Sequence, residues 1–179
     1  IALLHQLVIT NYQTEALILC PTRELADQVS KELRRLARAI PNTKITTLCG
    51  GTPIGPQFGS LEYNPHIVVG TPGRILKHLN KGSLKLKRLK TLVLDEADRM
   101  LDMGFSDDIH QIITFIPQKR QTLLFSATYP KEIKAISRSI QNNPIDVRVE
   151  TQHKENQIEQ QFYEIEREQR ESALLTLLM

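Results

Sequence analysis

Six short apolar runs recur along the chain, at Ala16 to Cys20, Lys44 to Cys49, His66 to Gly70, Thr91 to Leu94, Gln121 to Phe125 and Ile145 to Val149, and most are apolar throughout rather than at alternate positions. A strand that is apolar on both faces has to be covered on both faces, the condition of a parallel sheet between two helix layers. The segments between them carry the helical period: Leu25, Val29, Leu33, Leu36 and Ile40 follow at steps of four, four, three and four, and Ile133, Ile136 and Ile140 do the same. Strand and helix alternate, so the expected fold is α/β, a largely parallel sheet with helices on both faces.

Local punctuation agrees with this frame. Thr22 is placed to cap a helix opening at Arg23, and Pro41 stops that helix after Ile40. Asn143-Pro144 separates the next helix from the run at Ile145. Thr151 to Asn156 holds no apolar residue and reads as a linker, after which Ile158 to Ile165 reads as a strand and Ser172 to Met179 as the start of a helix. The chain opens at Ile1 inside the apolar pattern Ile1, Leu4, Val8, which is expected of an entry partway along a helix and of a piece of something longer.

Bulk properties exclude more than they nominate. With 179 residues there is room for one domain plus an appendage. A net charge of +3 and a pI near 8.9 permit an anionic partner without pointing to one. Cys20 and Cys49 both sit in apolar runs, so two reduced thiols packed in the core of a cytoplasmic protein are expected rather than a disulfide. The histidines at 5, 66, 78, 110 and 153 show no ligand spacing and are expected at the surface or in packing. No apolar stretch nears the roughly 20 residues that span a bilayer, and no signal-peptide pattern opens the chain.

In sheets of this type ligands gather beyond the carboxyl ends of the strands. Asp95-Glu96-Ala97-Asp98 directly follows Leu92-Val93-Leu94, and Ser126-Ala127-Thr128 follows Leu123-Leu124-Phe125, with Ser126 31 residues after Asp95. A carboxylate at a strand end can hold the water shell of Mg²⁺, and one beside it can orient an attacking water, so a Mg-nucleotide site leads. The bland reading of the acidic pair is a solvated loop or a helix start, and that of Ser126 and Thr128 is capping of a helix from Pro130. On the other side, Pro21-Thr22-Arg23 and Thr71-Pro72-Gly73-Arg74 each place a hydroxyl and a guanidinium at a helix start, where free N-H groups attract phosphate, and Gly50-Gly51 allows close backbone approach. Their bland readings are a plain turn for the glycines and a surface ion pair for Arg74. The basic run Lys81, Lys85, Lys87, Arg88, Lys90 reads as a solvated connection, and Met100, Leu101, Met103 and Phe105 as packing around the acidic turn.

Taken in order, Pro21-Thr22-Arg23-Glu24-Leu25-Ala26, Gly50-Gly51, Thr71-Pro72-Gly73-Arg74, Asp95-Glu96-Ala97-Asp98 and Ser126-Ala127-Thr128 resemble the first core domain of DEAD-box RNA helicases, from Ile1 to about Glu150. Within that family Leu19 to Val29, Pro41 to Gly51, Asp95 to Asp107 and Ile158 to Glu164 are most similar to a bacterial ribosome-assembly branch. The resemblance implies a RecA-like domain over residues 1–150, incomplete at its N-terminus, a linker at 151–157, and the opening of a second core domain at 158–179. It implies ATP and Mg²⁺ as ligands. Asp95 would hold Mg²⁺ through water, Glu96 would orient or deprotonate the attacking water, and Asp98, Ser126, Ala127 and Thr128 would relay nucleotide state to unwinding. Pro21, Thr22, Arg23, Gly50, Gly51, Thr71, Pro72, Gly73 and Arg74 would hold the RNA backbone without reading bases. The implied protein is a cytoplasmic monomer acting on RNA, ribosomal RNA in the closer branch, and is not a membrane protein.

One expected part is missing. No G-x-x-x-x-G-K-[ST] phosphate loop occurs between Ile1 and Met179, nor do the family's adenine-reading glutamine segment and the second domain's arginine fingers. This chain alone is therefore expected not to turn over ATP, and a sheet lacking the strand before that loop is expected to be poorly stable. A non-hydrolysing RNA-binding or scaffold module is the alternative; Glu96 and Ser126 argue for the enzyme, since a pure binder needs no water-orienting carboxylate.

Overall fold

The computed structural model describes residues 1–10, 12–149 and 161–178. They fall into two units, Ile1–Pro144 and Ile145–Met179. The first unit contains a five-stranded, wholly parallel sheet in the order β2-β3-β1-β4-β5, formed by β1 (Ala16–Leu19), β2 (Ile45–Leu48), β3 (Ile67–Gly70), β4 (Thr91–Leu94) and β5 (Gln121–Leu124). This is the predicted α/β sheet, with strand bounds within one or two residues of the apolar runs.

Successive strand residues feed two separate cores, one on each face. Leu17, Leu19, Val68, Leu92 and Leu94 pack with Ile75, Leu79, Met100, Ile109, Ile112, Ile133 and Ile136 from α4 (Pro72–Asn80), α5 (Ala97–Asp102), α6 (Ser106–Thr114) and α7 (Lys131–Ile140). Ala16, Ile18, Cys20, Ile67, Val69 and Val93 pack on the other face with Leu4 of α1 (Ala2–His5) and with Leu25, Ala26, Val29 and Leu33 of α2 (Arg23–Leu36). Each fully buried leucine or isoleucine contributes roughly 1.5–3 kcal/mol relative to exposure. Leu84, Leu86 and Leu89 are buried in the first core while Lys81, Lys85, Lys87, Arg88 and Lys90 are exposed, so the basic run is a connection anchored by its leucines.

Thr22 caps α2 as expected, its Oγ1 accepting from the N-H of Leu25 at 3.2 Å, and the helix tightens to a 3₁₀ turn at Ala37–Ala39 before Pro41. Gly70 is required by close approach: a Cβ there would sit 2.1 Å from the carbonyl oxygen of Leu48 on β2. α3 (Gly55–Glu62) had no sequence signal, since two glycines and a proline fall within its eight residues.

The second unit departs from expectation. Ile145 to Val149 forms no strand, and residues 161–165 are not in a strand either. Alternating apolar residues do not make a strand without a neighbour to pair with. A 3₁₀ turn (Arg167–Gln169) leads into α8 (Arg170–Leu178), close to the helix expected from Ser172. The linker at Thr151 to Asn156 and the first three residues of the expected strand at Ile158 lie outside the described residues.

Candidate functional site at the carboxyl edge of the sheet

Parallel strands in register bring all five motifs to one edge. Leu48, Gly70, Leu19, Leu94 and Leu124 are aligned partners across the sheet, and each is the last residue of its strand. The chain leaves β1 toward one face through α2 and β4 toward the other through α5, and such a divergence between neighbouring strands is where open α/β sheets hold ligands.

The acidic loop begins between these two strands. The N-H of Asp95 donates to the carbonyl of Leu19 at 3.0 Å, fixing its backbone against β1, and its side chain is half-buried. Glu96 follows with φ 50° and ψ 54°, a left-handed conformation that costs energy in a residue with a Cβ. That turn starts α5 and leaves the Glu96 side chain exposed, while Ala97 N-H donates to the carbonyl of Phe125 at 2.9 Å and ties the loop to β5. Neither the Asp95 nor the Glu96 carboxylate makes a hydrogen bond or ion pair among the described residues. A hard, unengaged carboxylate at a strand end suits Mg²⁺, which keeps most of its waters.

Asp98 joins the acidic loop to the loop after β5. Its Oδ2 accepts from both the N-H and the hydroxyl of Thr128, at 2.9 and 2.8 Å, and its Oδ1 accepts from the N-H of Arg99 at 3.0 Å. Burial works to raise this carboxyl, but the hydrogen bonds from the side chain and N-H of Thr128 and from the N-H of Arg99 outweigh it and hold the group below the ordinary carboxylate range. Ser126 Oγ donates to the carbonyl of Thr128 at 2.6 Å, and Ala127 separates the two. Capping does not account for these hydroxyls, because α7 starts at Lys131 after Pro130 with no side-chain cap. Met100 is buried beneath the loop with Leu101 and Phe105 against it, but Met103 is exposed and takes no part in that packing.

The loops after β1, β2 and β3 interlock. Gly50 N-H donates to Thr71 Oγ1 at 3.3 Å, so Thr71 uses its hydroxyl across the loops and not as a cap of α4, where Pro72 occupies the first turn. Gly51 has φ +74°, and a Cβ there would meet the Arg23 guanidinium at 3.1 Å. The glycine pair is thus more than a plain turn. Among the described residues Arg74 makes no surface ion pair: its Nη2 donates to the carbonyl of Thr52 at 2.7 Å, and its buried Nη1 has no partner there. Gly73 lies beside Asp108, whose Oδ2 would be 3.2 Å from a Cβ. Pro21 is buried at the turn into α2, where Arg23 is half-exposed.

Cys20 and Cys49, at the strand ends beneath these loops, are free and buried; burial first, then nearby charges led by Asp95 for Cys20 and Asp27 for Cys49, pushes their thiols to about 12 and about 11. They stay protonated and unreactive. His66 and His78 are buried with both ring nitrogens in hydrogen-bonding contact, the packing role expected of them.

A family model described as DEAD/DEAH box helicase matches residues 1–136. The chain belongs to the DEAD/DEAH box helicase family. It is 60% identical over 164 residues to the ATP-dependent RNA helicase DbpA of Escherichia coli (strain K12), covering 92% of this chain and 36% of that protein. With the DEAD-box ATP-dependent RNA helicase CshA of Geobacillus kaustophilus (strain HTA426) it shares 41% identity over all 179 residues, 38% of that protein. The crystal structure of a DEAD box protein from the hyperthermophile Methanococcus jannaschii matches with a TM-score of 0.79 at 41% identity, over 98% of this chain and 47% of that one. The chain therefore spans little more than a third of the length of these curated helicase relatives, and its sheet is the RecA-like one of the family.

Proposed function

We propose that this chain carries the strand-holding loops and the hydrolytic carboxylates of an ATP-dependent RNA helicase, which couples hydrolysis of Mg-ATP to local unwinding of RNA duplexes. The observation that carries this reading is the double hydrogen bond from Thr128 to Asp98, which locks the loop after β5 to the acidic loop on the same edge as the loops after β1, β2 and β3. Asp95 would hold Mg²⁺ through water, and the bound ion supplies charge neutralisation at the phosphate oxygens. Glu96, exposed beside it, orients the attacking water and receives its proton. A change at the γ-phosphate felt by the acidic loop is passed through Asp98 to Thr128 and Ser126. Arg23, Arg74, Thr22, Thr71 and the backbone of Pro21, Gly50, Gly51, Pro72 and Gly73 hold sugar and phosphate, so binding is independent of base sequence.

Residues 1–150 are assigned to a partial first core domain and 158–179 to the opening of a second, whose closure on the first would be driven by ATP and RNA. Alone, this chain lacks the phosphate-loop pattern and is expected to show no ATP turnover. Ribosomal RNA as target, a monomeric state and a cytoplasmic location complete the proposal; among the described residues no helix is long and apolar enough to cross a membrane.

The test uses the complete gene product. Glu96→Gln should keep ATP and RNA binding while RNA-stimulated hydrolysis falls by about 10² to 10⁴-fold, the scale of a lost general base. Retained turnover would assign the water to another group.

A further inference from the structure

The loop after β2 is held from a direction that its motif does not announce. Gln57 on α3 donates from its amide nitrogen to the carbonyl of Cys49 and to Thr52 Oγ1, both at 3.1 Å. A backbone carbonyl can only accept, so the amide nitrogen must face Cys49, and Oε1 must face the ring of His78, whose Nε2 lies 3.0 Å away. Nε2 therefore carries the proton.

The His78 ring is itself fixed on every side. Ser83 Oγ lies 2.9 Å from Nδ1, Phe58 packs edge-on with ring centroids 5.3 Å apart, and the residue has no exposed surface. Burial, and then the charges of Arg74, Lys77 and Lys81, lower its pKa and favour the neutral ring, and Ser83 Oγ, which also donates to the His78 carbonyl at 3.1 Å, holds the Nδ1 side. Thr52, gripped by Gln57 through its hydroxyl, is the residue whose carbonyl Arg74 holds at 2.7 Å. The stretch beginning at Gly50-Gly51 is thus tied to α4 twice: at its first turn through Thr71 and Arg74, and near its last turn through Gln57 and His78.

We propose that Gln57 and His78 are positioning residues that lock the Gly50-Gly51 loop to the start of α4, so that two separate backbone-binding loops present one rigid surface to the RNA strand. The proposal rests on the assignment of those loops to RNA. Its chemistry is that of a satisfied buried polar network, which fixes one geometry where apolar side chains would only fill volume. Without it, the Gly50-Gly51 backbone and the Thr52 carbonyl that holds Arg74 can shift relative to the start of α4.

The experiment measures RNA-stimulated ATP hydrolysis of the complete gene product as a function of single-stranded RNA concentration. Gln57→Met keeps length and volume and removes every polar atom. The half-saturating RNA concentration should rise about tenfold, the scale of one lost charge-assisted contact, with kcat at saturating RNA and the KM for ATP close to the parent's, while the melting temperature falls because the buried His78 Nε2 loses its partner. Thr52→Val, on an exposed loop, should give a smaller rise and add nothing to Gln57→Met, because both cut the same link. His78→Asn, which can still donate to Oε1, should recover part of the affinity that His78→Ala loses. An unchanged half-saturation in Gln57→Met would overturn the proposal, as would parallel falls in kcat and melting temperature, which mark a purely structural role. Arg74→Ala separates the two levels: if it weakens RNA binding while Gln57→Met does not, only the positioning role fails, and if it leaves RNA binding intact, the assignment of the loops to RNA fails and the positioning role with it.

Discussion

The two flanks of the central strand differ in how they are finished. On one side, β3 is buried at every position and the outer strand β2 is half-buried up to its buried Leu48, and the loops that follow are cross-linked through Thr71, Arg74 and Gln57, with the Arg23 guanidinium beside Gly51. On the other, β4 is fully buried but β5 is the last strand of the described sheet, with Gln121 exposed, Leu123 and Leu124 half-buried and Phe125 54% exposed. The acidic loop carries two unengaged carboxylates and a left-handed Glu96. The side proposed to hold the strand is cross-linked between its loops, whereas the acidic side is held chiefly by Asp98, Thr128 and the Ala97 to Phe125 bond. A surface that reads backbone needs rigidity; a site that reports nucleotide state needs a contact that can change.

Experiments that break this contrast range from the whole fold to a single methyl. The largest effect is expected for residues 1–179 expressed alone: with β5 open on one side, the chain should melt early and with weak cooperativity, its β5 amides exchanging before those of β1 and β3. A cooperative, high-temperature melt in calorimetry would contradict this. Next is Gly70→Ala in the complete gene product, where a Cβ 2.1 Å from the Leu48 carbonyl forces β2 and β3 apart and should cost about 3 kcal/mol in urea unfolding. Asp98→Asn should have a smaller effect on stability but separate unwinding from hydrolysis. Because the folded Asp98 carboxyl is depressed, its contribution is present above the unfolded pKa of about 3.9 and lost as pH falls through the lower folded value. The stability difference between parent and variant should therefore be full at pH 7 and shrink below about pH 4. The smallest effect has the opposite sign: Gly59→Ala, in the middle of α3 with open space around it, should stabilise by about 1 kcal/mol.

The same contrast separates what the sequence makes legible from what it hides. Strands buried on both faces announce themselves as continuous apolar runs, which is why β1, β3 and β4 could be placed to within a residue or two, and register then carries their motifs to one edge. Ile145 to Val149 alternates apolar and charged residues, and such a run becomes a strand only beside a partner; none is formed among the described residues. Asp98 and Thr128 were legible as a pair through their motifs. Their geometry, two donors on one carboxylate oxygen, was not. Gln57 and His78 carry no spacing signature across 21 residues, and α3 itself was hidden by its glycines. Arg74 was recognised by position, but its grip on the Thr52 carbonyl comes from a loop geometry set by the left-handed Gly51, which composition does not reveal.

We propose, centrally, that one flank of the edge holds the phosphates of RNA and that the acidic flank does not. The direct measurement is the salt dependence of single-stranded RNA binding by the complete gene product, for the parent, Arg23→Ala and Glu96→Gln. If about four phosphates are neutralised, parent affinity should fall around fifty-fold between 50 and 200 mM salt, at roughly 0.7 in log-log slope per contact. Arg23→Ala should flatten that slope by about 0.7, and Glu96→Gln should leave it unchanged. A flat response in the parent, or a slope that Glu96→Gln lowers as much as Arg23→Ala does, would contradict the division.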